Sequence, residues 1–377
     1  MVATSSPVTG TAADLNRDNV IDVHNLQVEF RTSLGVVRAV NGVSFGVARG
    51  KTLGIVGESG CGKSVTAFAI MQLVAKPGVI TGGEIVLRTR EKAPVNLLTY
   101  DPNGDDMRSV RGRHVGMIFQ EPMTALNPCY TIGNQIAEGI LLHRTNDPAK
   151  AEAMALDILT RVGLPSPSRL MTTYPHQLSG GMRQRAMIAL ALSCEPDLLL
   201  ADEPTTALDV TTQAQILDVM RELQDDIGMS IMFVTHNLGV VAQMCDEVAV
   251  MYLGRVVEQA PVEELFDNPK HPYTRALMRS IPQLGAARKG RLEVIQGSVP
   301  GQFTKVSGCQ FHPRCPDMIA GVCDVQSPSL LPAGDDGLVS CFLHHDPSGT
   351  PRPSEALAAT RVAPLSSSAT PTTTPAN

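Results

Sequence analysis

The stretch Thr52–Ser64, TLGIVGESGCGKS, decides the fold of this 377-residue chain. An apolar run ends at Gly57, and Gly57–Ser64 then fits the pattern G-x-x-x-x-G-K-[ST]. The residues that follow have the apolar spacing of a helix. Together they predict a buried strand, a loop whose backbone N–H groups surround phosphate oxygens, and a helix whose N-terminus attracts anions. An unrelated glycine-rich turn is the alternative, and the strand and helix on either side argue against it.

The phosphate-binding loop, Gly57–Ser64, predicts a nucleotide ligand that is bound with magnesium. Lys63 would reach the β- and γ-phosphates, and Ser64 would ligate Mg²⁺. The other positions predicted to contact the nucleotide are Gly57, Ser59, Gly60, Cys61, Gly62 and Val65.

Three further apolar runs also end abruptly in polar residues. They are VGMIFQ, which ends at Gln120, DLLLADE, which ends at Asp202 and Glu203, and SIMFVTH, which ends at His236. Helical patterns separate most of these runs, and that alternation predicts a mainly parallel sheet covered on both faces. Ligands of such sheets lie outside the carboxyl ends of the strands. We therefore expect the glycine loop, the glutamine, the two acids and the histidine at one edge.

Each of these polar residues has an expected role at a nucleotide site. Asp202 suits an outer-sphere contact to Mg²⁺, and Glu203 suits polarising the attacking water. Gln120 could bridge Mg²⁺ and that water, and His236 could hydrogen-bond the γ-phosphate. The alternatives are a surface acid pair and ordinary loop residues. Phe30 is a candidate to stack on adenine, and a core aromatic of a strand is the alternative for that residue.

A second anion site is predicted within YPHQLSGGMRQR, Tyr174–Arg185. Here Ser179, Gly180 and Gly181 precede an apolar run with helical spacing, so several backbone N–H groups are left unpaired at a helix N-terminus. The phosphate-binding loop lies far earlier in the chain, and spacing alone does not say whose phosphate the second site would bind. A simple helix start is the alternative.

These motifs, in this order, resemble the ATP-binding subunits of ABC transporters over about residues 21–285. The motifs are GESGCGKS, Gln120, LSGGMRQR, LLLADEP, Ala207-Leu208-Asp209 and His236. The segments FQEPMTALNP, ADEPTTALDVTTQAQIL and HPYTRALM resemble the peptide and nickel import branch, particularly its dipeptide and oligopeptide subunits. Lys63, Glu203 and His236 all match the family, which argues against a degenerate half that does not hydrolyse ATP.

The resemblance implies an α/β fold of the P-loop NTPase type. Its RecA-like parallel sheet core would carry an antiparallel β-subdomain and an inserted helical subdomain at about residues 121–190. The expected ATPase domain covers residues 19–289, between a disordered tail at 1–18 and a small, irregular Cys-rich extension at 290–346. Residues 347–377, rich in Pro, Ser and Thr, are predicted to form a second disordered tail.

The resemblance also implies partners. In the family, Ser179–Gly181 of one subunit would contact the ATP held by another subunit, and Asp209 would lie at the same seam. Nucleotide would then hold two ATPase subunits together, the second more often being a different chain. Two transmembrane permease subunits, which dock on the helical subdomain, and an extracytoplasmic substrate-binding protein would complete the complex. This chain would be its peripheral subunit at the cytoplasmic face of the membrane.

Composition argues against several other classes of protein. The net charge of −6 disfavours a nucleic-acid partner. No apolar run approaches the ~20 residues that span a bilayer, and the N-terminus lacks the apolar core of a signal peptide. A soluble ABC ATPase that acts on DNA or ribosomes would need a long coiled-coil insertion or a second cassette, and the sequence shows neither.

Four of the eight cysteines crowd into the Cys-rich extension with the spacing C-x₅-C-x₇-C-x₁₇-C. They are Cys309, Cys315, Cys323 and Cys341. In a chain without a secretion signal, such thiols are expected to be reduced or to bind a metal. Zinc usually shows a C-x₂₋₄-C pair, which this spacing lacks, although His312, His344 and His345 could substitute in a zinc site. Four thiolates also suit a [4Fe–4S] cluster, and unliganded thiols are the third alternative. The resemblance favours the iron–sulfur cluster, because the peptide-importer ATPases carry a similar extension.

The sequence therefore predicts an ATPase subunit that energises the import of dipeptides or oligopeptides through separate membrane subunits. Import of nickel or another small solute is one alternative. A redox-sensing ATPase whose cluster controls turnover is another, and it shares all of these residues.

Overall fold

The computed structural model describes residues 18–121, 125–206, 208–280, 295–334 and 337–352. Of the predicted tails at 1–18 and 347–377, residues 1–17 and 353–377 lie outside the described residues, as do Ala207 and the predicted boundary near residue 290. Residues 347–352 are described, and the Arg352 N–H donates to the His344 carbonyl oxygen at 2.7 Å. Within the described ranges, no helix combines the length and the apolar character that crossing a bilayer requires.

Two sheets and a set of mostly short helices make up the described chain. The strands are β1 (Asn19–Thr32), β2 (Gly35–Ala48), β3 (Thr52–Val56), β4 (Gly78–Leu87), β5 (Val95–Asn96), β6 (Val115–Ile118), β7 (Leu198–Asp202), β8 (Ser230–Val234), β9 (Glu247–Tyr252), β10 (Arg255–Pro261), β11 (Leu331–Pro332) and β12 (Leu338–Val339). The helices are α1 (Lys63–Ile70), α2 (Asp105–Val110), α3 (Ile132–His143), α4 (Pro148–Arg161), α5 (Pro167–Leu170), α6 (Gly180–Leu192), α7 (Val210–Ile227), α8 (Leu238–Met244), α9 (Val262–Asp267) and α10 (Pro272–Arg279). Short 3₁₀ turns occupy Leu97–Thr99, Pro175–Gln177 and His312–Arg314.

The larger sheet has its described strands in the order β11-β12-β10-β9-β3-β8-β7-β6. Its centre, from β9 through β3, β8 and β7 to β6, is parallel, and β10 runs antiparallel to β9. The smaller sheet is antiparallel, with the order β2-β1-β4-β5. Helices α3 to α6 are inserted between β6 and β7. The predicted α/β class is confirmed, with its parallel core, its antiparallel β-subdomain and its helical insertion.

The central strands are continuous apolar runs because both of their faces are buried. In β3, Leu53 and Ile55 join a core cluster shared with the smaller sheet, whereas Val56 joins a second cluster shared with α3, α4, α6 and α7. In β7, Leu200 belongs to the first cluster and its neighbour Leu199 to the second. Burial on both faces replaces the usual alternation of apolar and polar residues with an unbroken apolar sequence.

Capping residues fix the ends of the longer helices. α4 begins after Asp147, whose carboxylate accepts a hydrogen bond from the Ala149 N–H at 3.0 Å, and Pro148 occupies its first position. α7 begins after Asp209 and ends at Gly228, whose φ of 68° lies in the left-handed region that favours glycine. The local sequence therefore specifies these helix boundaries.

The Cys-rich extension joins the larger sheet. β12 pairs with β10 through Val339, which lies opposite Glu258, and β11 pairs with β12. The Ser340 N–H also donates to the Val257 carbonyl oxygen at 2.8 Å. The segment from Leu331 onward is thus part of the same sheet as the phosphate-binding loop, although most of the described extension before it is irregular.

A buried ion pair connects β1 to the end of β4. Arg88 Nη1 donates to Asp22 Oδ2, and Asn19 Nδ2 donates to the other carboxylate oxygen at 2.7 Å. The Arg88 and Asp22 side chains are only 9% and 6% exposed. We expect Asp22→Ala to lower the free energy of unfolding by about 3–5 kcal/mol, because it leaves a buried guanidinium without its counter-charge. Chemical denaturation measures this change.

The matched control is Asp105→Ala, which removes the exposed ion pair that Asp105 makes with Arg108 on α2. Its effect on the unfolding midpoint should be small, because solvent screens exposed pairs. If both variants unfold at the same denaturant concentration, burial does not make the Asp22 ion pair more stabilising than the exposed one.

Candidate functional site

The phosphate-binding loop connects β3 to α1, and at two of its positions there is no room for a side chain. Gly57 has φ of +154° and Gly62 has φ of +102°. A Cβ atom at Gly57 would lie 2.2 Å from the Met251 carbonyl oxygen, and one at Gly62 would lie 2.2 Å from that of Ala39. The loop therefore lies directly against β9 and β2, and both glycines are required by contact as well as by conformation.

The side chain of Lys63 folds back onto this loop. It is buried, and its Nζ donates to the Gly57 carbonyl oxygen at 2.9 Å and to the Glu58 carbonyl oxygen at 3.2 Å. Cys61 is buried beside it, and burial raises the pKa of the Cys61 thiol despite the opposing charge of Lys63. The lysine thus provides the positive charge within the loop, next to a neutral thiol.

The remaining predicted loop residues differ in exposure. Ser59 and Gly60 are exposed at the tip of the loop, and Val65 is half-buried in the first turn of α1. A Cβ at Gly60 would meet no atom within 4 Å. The tip is therefore open to a ligand, whereas both ends of the loop are packed.

Ser64 and Asp202 link the loop to the end of β7. Ser64 Oγ donates to Asp202 Oδ1 at 2.9 Å, and Asp202 is 2% exposed. Burial raises the pKa of Asp202, and the hydrogen bond from Ser64 opposes that rise. A hydroxyl and a carboxylate are oxygen ligands of the kind Mg²⁺ prefers, and substrate phosphates usually complete its shell. The described residues contain no group of three or more His, Cys, Asp or Glu side chains that could hold a metal.

Glu203 is the centre of a hydrogen-bonded network at the same edge. Its Oε2 accepts from Gln120 Nε2 at 3.1 Å and from Thr206 Oγ1 at 2.9 Å, and its Oε1 lies 3.0 Å from His236 Nδ1. Sequence reasoning named three of these residues and missed Thr206, which lies three positions after Glu203 in ADEPTT. The geometry thus brings together residues that follow three different strands.

Two features of Glu203 set it apart from Asp202. Burial tends to raise the pKa of Glu203, but hydrogen bonds from His236 and Thr206 outweigh it, so the pKa lies below the usual value. Its backbone has φ of +46°, which costs a residue with a side chain about 1–3 kcal/mol. The Glu203 N–H donates to the Val234 carbonyl oxygen at 2.9 Å, which ties this conformation to β8. The carboxylate is therefore held ionised and in place.

The predicted second anion site lies at the N-terminus of α6. Ser179 caps this helix, with its Oγ accepting from the Met182 N–H at 3.4 Å, and Ser179 and Gly180 are exposed. A Cβ at Gly181 would lie 3.2 Å from Thr212 Cγ2 on α7. The N-termini of α6 and α7 are consequently neighbours.

Asp209 caps α7 beside this site. Its Oδ1 accepts from the Thr212 N–H at 3.0 Å and its Oδ2 from Thr212 Oγ1 at 2.6 Å. These hydrogen bonds lower the pKa of Asp209, which stays ionised at the exposed helix end. Among the described residues, no hydrogen bond joins Ser179 or Asp209 to the phosphate-binding loop.

Phe30 lies in β1, opposite Val37 of β2 and Gly78 of β4. It is half-buried and packs against the core cluster beneath the smaller sheet, which also contains Cys61. The sequence predicts that this ring either stacks on adenine or is a core aromatic of a strand. Its observed packing against the core explains a phenylalanine at this position without any ligand.

The four crowded cysteines are neighbours in the described extension. Cys323 and Cys341 are buried, and Cys309 and Cys315 are partly buried against the main core. Burial raises the pKa of Cys315 to about 12, although a hydrogen bond from the Asp317 N–H opposes that rise, and the charges of Asp317, Cys309 and Cys323 add to it. Burial likewise raises the pKa of Cys341, and the charges of the other three thiols add to that rise. Without a cation the four sulfurs therefore favour the protonated form.

The predicted zinc-site histidines are tied to backbone carbonyl oxygens. His312 Nδ1 lies 2.9 Å from the Cys309 carbonyl oxygen, His344 Nε2 lies 3.1 Å from that of Lys270, and His345 Nε2 lies 2.7 Å from that of Pro332. These contacts fix the orientation of the three rings.

Comparison with known proteins gives consistent results. A family model described as "ABC transporter" matches residues 40–206, and one described as "Oligopeptide/dipeptide transporter, C-terminal region" matches residues 257–323. The chain is similar to a peptide import ATP-binding protein of Brucella melitensis, with 52% identity over 307 residues that span 80% of this chain and 90% of that protein. It is also similar to the dipeptide transport ATP-binding protein DppD of Bacillus subtilis, with 45% identity over 86% of this chain and 95% of that protein.

The fold has matches among solved structures. A dimeric ATP-binding cassette in a post-hydrolysis state, bound to ADP and Pi, is 25% identical and superimposes with a TM-score of 0.57 over 64% of this chain and 98% of that chain. The matched region carries the cassette fold expected from the sequence. Given the identity to relatives along most of its length, the chain belongs to the ABC transporter family, in the group of oligopeptide and dipeptide transporter ATP-binding proteins.

Proposed function

We propose that this chain hydrolyses ATP to energise the import of peptides through separate membrane subunits. The observation that carries the proposal is the Glu203 carboxylate, which is held ionised next to the Ser64–Asp202 pair at the end of β7. The family to which the chain belongs, and the peptide-transport names of its relatives, support peptides as the substrate class.

The phosphate-binding loop would hold the nucleotide before any chemistry. Its backbone N–H groups and the N-terminus of α1 favour the phosphates, and Lys63 supplies a full positive charge. Lys63 donates to two carbonyl oxygens of the loop, so arrival of ATP exchanges those contacts for phosphate oxygens. Ser64 and Asp202 would hold Mg²⁺, which neutralises charge on the phosphate oxygens when bound.

Glu203 would orient and polarise the attacking water. Its Oε1 has His236 as its described partner, so this oxygen keeps a lone pair that can accept a water proton. Attack of the water oxygen on the γ-phosphorus breaks the bond to ADP and yields phosphate. Gln120 and His236 lie on opposite oxygens of the same carboxylate, where they would position the water and contact the γ-phosphate.

Ser179–Gly181 and Asp209 would act on a nucleotide held by another subunit. Both stand at exposed helix N-termini, where backbone N–H groups attract phosphate, and the two helix ends are neighbours. Two ATPase subunits would thus complete each other's pockets around ATP and separate after hydrolysis.

The complete importer would contain several other chains. Two permease subunits would receive the helical subdomain on the cytoplasmic face of the membrane, and a substrate-binding protein would deliver peptide from outside. The second ATPase subunit would be a related but different chain. The inserted helices α3 to α6 support this docking role, because they connect the end of β6, next to Gln120, to the start of β7, which ends next to Glu203. A permease docked on them would therefore be linked through the chain to both residues.

The four neighbouring cysteines would bind a [4Fe–4S] cluster, in preference to zinc. The support is their mutual proximity and the absence of closely spaced cysteine pairs in the sequence. The described side chains do not form a group already arranged to hold a metal. Thiolates are the ligating form, so binding of a cluster would release the protons of these four thiols.

Glu203→Gln should retain MgATP binding and lose most hydrolysis. Replacing the carboxylate removes the base while keeping size and hydrogen bonding, and general-base removal costs about 10²–10⁴-fold in rate. Phosphate release measured with the assembled transporter checks the rate, and gel filtration with ATP should show a trapped ATPase dimer. Glu195→Gln, at a surface ion pair with Arg144, is the control and should hydrolyse normally. Normal turnover by Glu203→Gln would remove this residue from the mechanism.

Ser179→Arg should leave nucleotide binding by the single chain intact while blocking closure of two ATPase subunits. The long cationic side chain would occupy the space that the partner's phosphates need. Ser179 bonds to Met182 of its own helix and makes no described hydrogen bond to this chain's phosphate-binding loop, so that loop should still bind nucleotide. Nucleotide titration of the isolated chain measures binding, and light scattering in the Glu203→Gln background, with the second ATPase subunit added, measures closure. Thr160→Arg on the exposed face of α4 is the control. Loss of ATP binding by the isolated Ser179→Arg chain would contradict action on the partner's nucleotide.

Protein purified without oxygen should be brown and contain about four iron and four sulfide per chain. Cys323→Ser should lose the colour and most of the iron, whereas Cys194→Ser, at a buried cysteine outside the extension, should keep both. Metal analysis and visible absorbance supply the readout independently of activity. A colourless protein with one zinc per chain would show that the iron assignment is wrong.

A further inference from the structure

Arg314 of the Cys-rich extension reaches into the nucleotide site. Its Nη1 donates to Glu58 Oε2 at 2.7 Å and its Nη2 donates to Glu58 Oε1 at 3.0 Å. Glu58 is the second residue of the phosphate-binding loop, and the two partners are 256 residues apart in the chain. A bidentate arginine–carboxylate pair is among the strongest and most directional side-chain contacts in proteins.

The arginine is held in a preformed site. Its side chain is only 4% exposed, and its guanidinium lies 5.8 Å from the centre of the Tyr252 ring and 5.9 Å from that of Phe311. Arg314 Nε donates to the Gln296 carbonyl oxygen at 3.2 Å. Ring contacts of this kind favour a cation and restrict its rotation. The guanidinium is therefore aimed at Glu58 by residues that do not belong to the loop.

Glu58 is fixed at its backbone as well as at its side chain. The Glu58 N–H donates to the hydroxyl oxygen of Tyr273, which lies on α10, at 2.8 Å. Tyr252, Tyr273 and Phe311 pack against one another with ring centres 4.7 to 5.4 Å apart. One aromatic cluster thus supports both the arginine and the hydroxyl that hold this part of the loop.

The charge of Glu58 needs such a partner. An acid in a loop that binds a polyanion repels the ligand, and that repulsion is strong where water is excluded. Arg314 offsets the charge and turns the carboxylate toward the extension. The same contact sets the direction of the chain immediately after Gly57, whose path is already restricted by Met251.

We propose that Arg314 is a positioning residue of the nucleotide site, which acts through Glu58 to set the affinity of the phosphate-binding loop for MgATP. The inference rests on the proposed function, since it concerns the same ATP site. It makes the Cys-rich extension a working part of that site, because ATP affinity depends on a side chain that the extension supplies.

A double-mutant cycle on the full-length chain tests the proposal. We expect Arg314→Met to weaken MgATP binding about tenfold, because it leaves the Glu58 carboxylate unpaired beside the phosphates. In the Glu58→Gln background the same substitution should change the dissociation constant by less than about threefold, since no unpaired charge remains. Arg314→Lys keeps the charge but not the paired geometry, and its affinity should fall between those of wild type and Arg314→Met. In the assembled transporter, Arg314→Met should raise KM for ATP and leave kcat within about twofold.

Asp317→Asn is the matched control. It breaks the ion pair with Arg275 at 3.8 Å, which also joins the extension to α10 but does not touch the loop. This variant should bind MgATP like wild type. Fluorescence titration gives the affinities, and thermal unfolding of every variant shows whether its fold is retained.

Three outcomes would overturn the proposal. Wild-type affinity in Arg314→Met would show that the contact does not act on the site. An equal loss of affinity with and without Glu58→Gln, or an equal loss in Asp317→Asn, would show a general structural role for the extension. Failure of the wild-type chain to bind MgATP would instead reject the proposed function, and this inference with it.

Discussion

Parallel pairing of β3 between β8 and β9 is the constraint on which the site depends. The register places Ile55 beside Val234 on one side and beside Ala249 on the other. Because the strands are parallel, the loop after β3 and the residue pair at the end of β7 come out at the same edge of the sheet. A slip of one residue would exchange the two core clusters and take the loop away from its partners, since alternate side chains of β3 belong to different clusters. Packing of the core and assembly of the site are thus specified by the same register.

At that edge, the pKa values of two consecutive carboxylates are shifted in opposite directions. Asp202 is buried, and its pKa is raised, with Ser64 as its partner. Glu203 receives donors on both oxygens, and its pKa is lowered. The backbone at Glu203 is in the left-handed region, with φ of +46°. Opposite pKa shifts in adjacent acids are typical of separate roles, which supports the proposal that Asp202 holds Mg²⁺ and Glu203 activates water. The strain at Glu203 is maintained by the pairing of its N–H with β8.

The central strands and most residues of the candidate site could be predicted from the sequence. Strands that are buried on both faces have short, continuous apolar sequences, and the polar residues that follow them meet at one edge of the sheet. The β1–β2 hairpin left a weaker signal, because its strands are interrupted by several bulges. The Glu58–Arg314 pair gave no signal at all, since a contact between residues 256 positions apart has no period in the sequence. Thr206 was missed for a different reason, because a threonine in a turn is ordinary until its hydroxyl is seen on a carboxylate. The two-residue strands β11 and β12 are too short to show alternation.

The pairing of β12 with β10 also covers a strand edge at which two molecules could otherwise aggregate. Without β11 and β12, the backbone groups of Glu258 and Gln259 would form an open strand edge beside a long apolar sheet, which is a template for strand-by-strand aggregation. The outermost described strand is instead two residues long and ends in Pro332, which has no N–H to offer to a further strand. A chain that lost its C-terminal segment would therefore be expected to self-associate in solution even if every nucleotide-binding residue were intact.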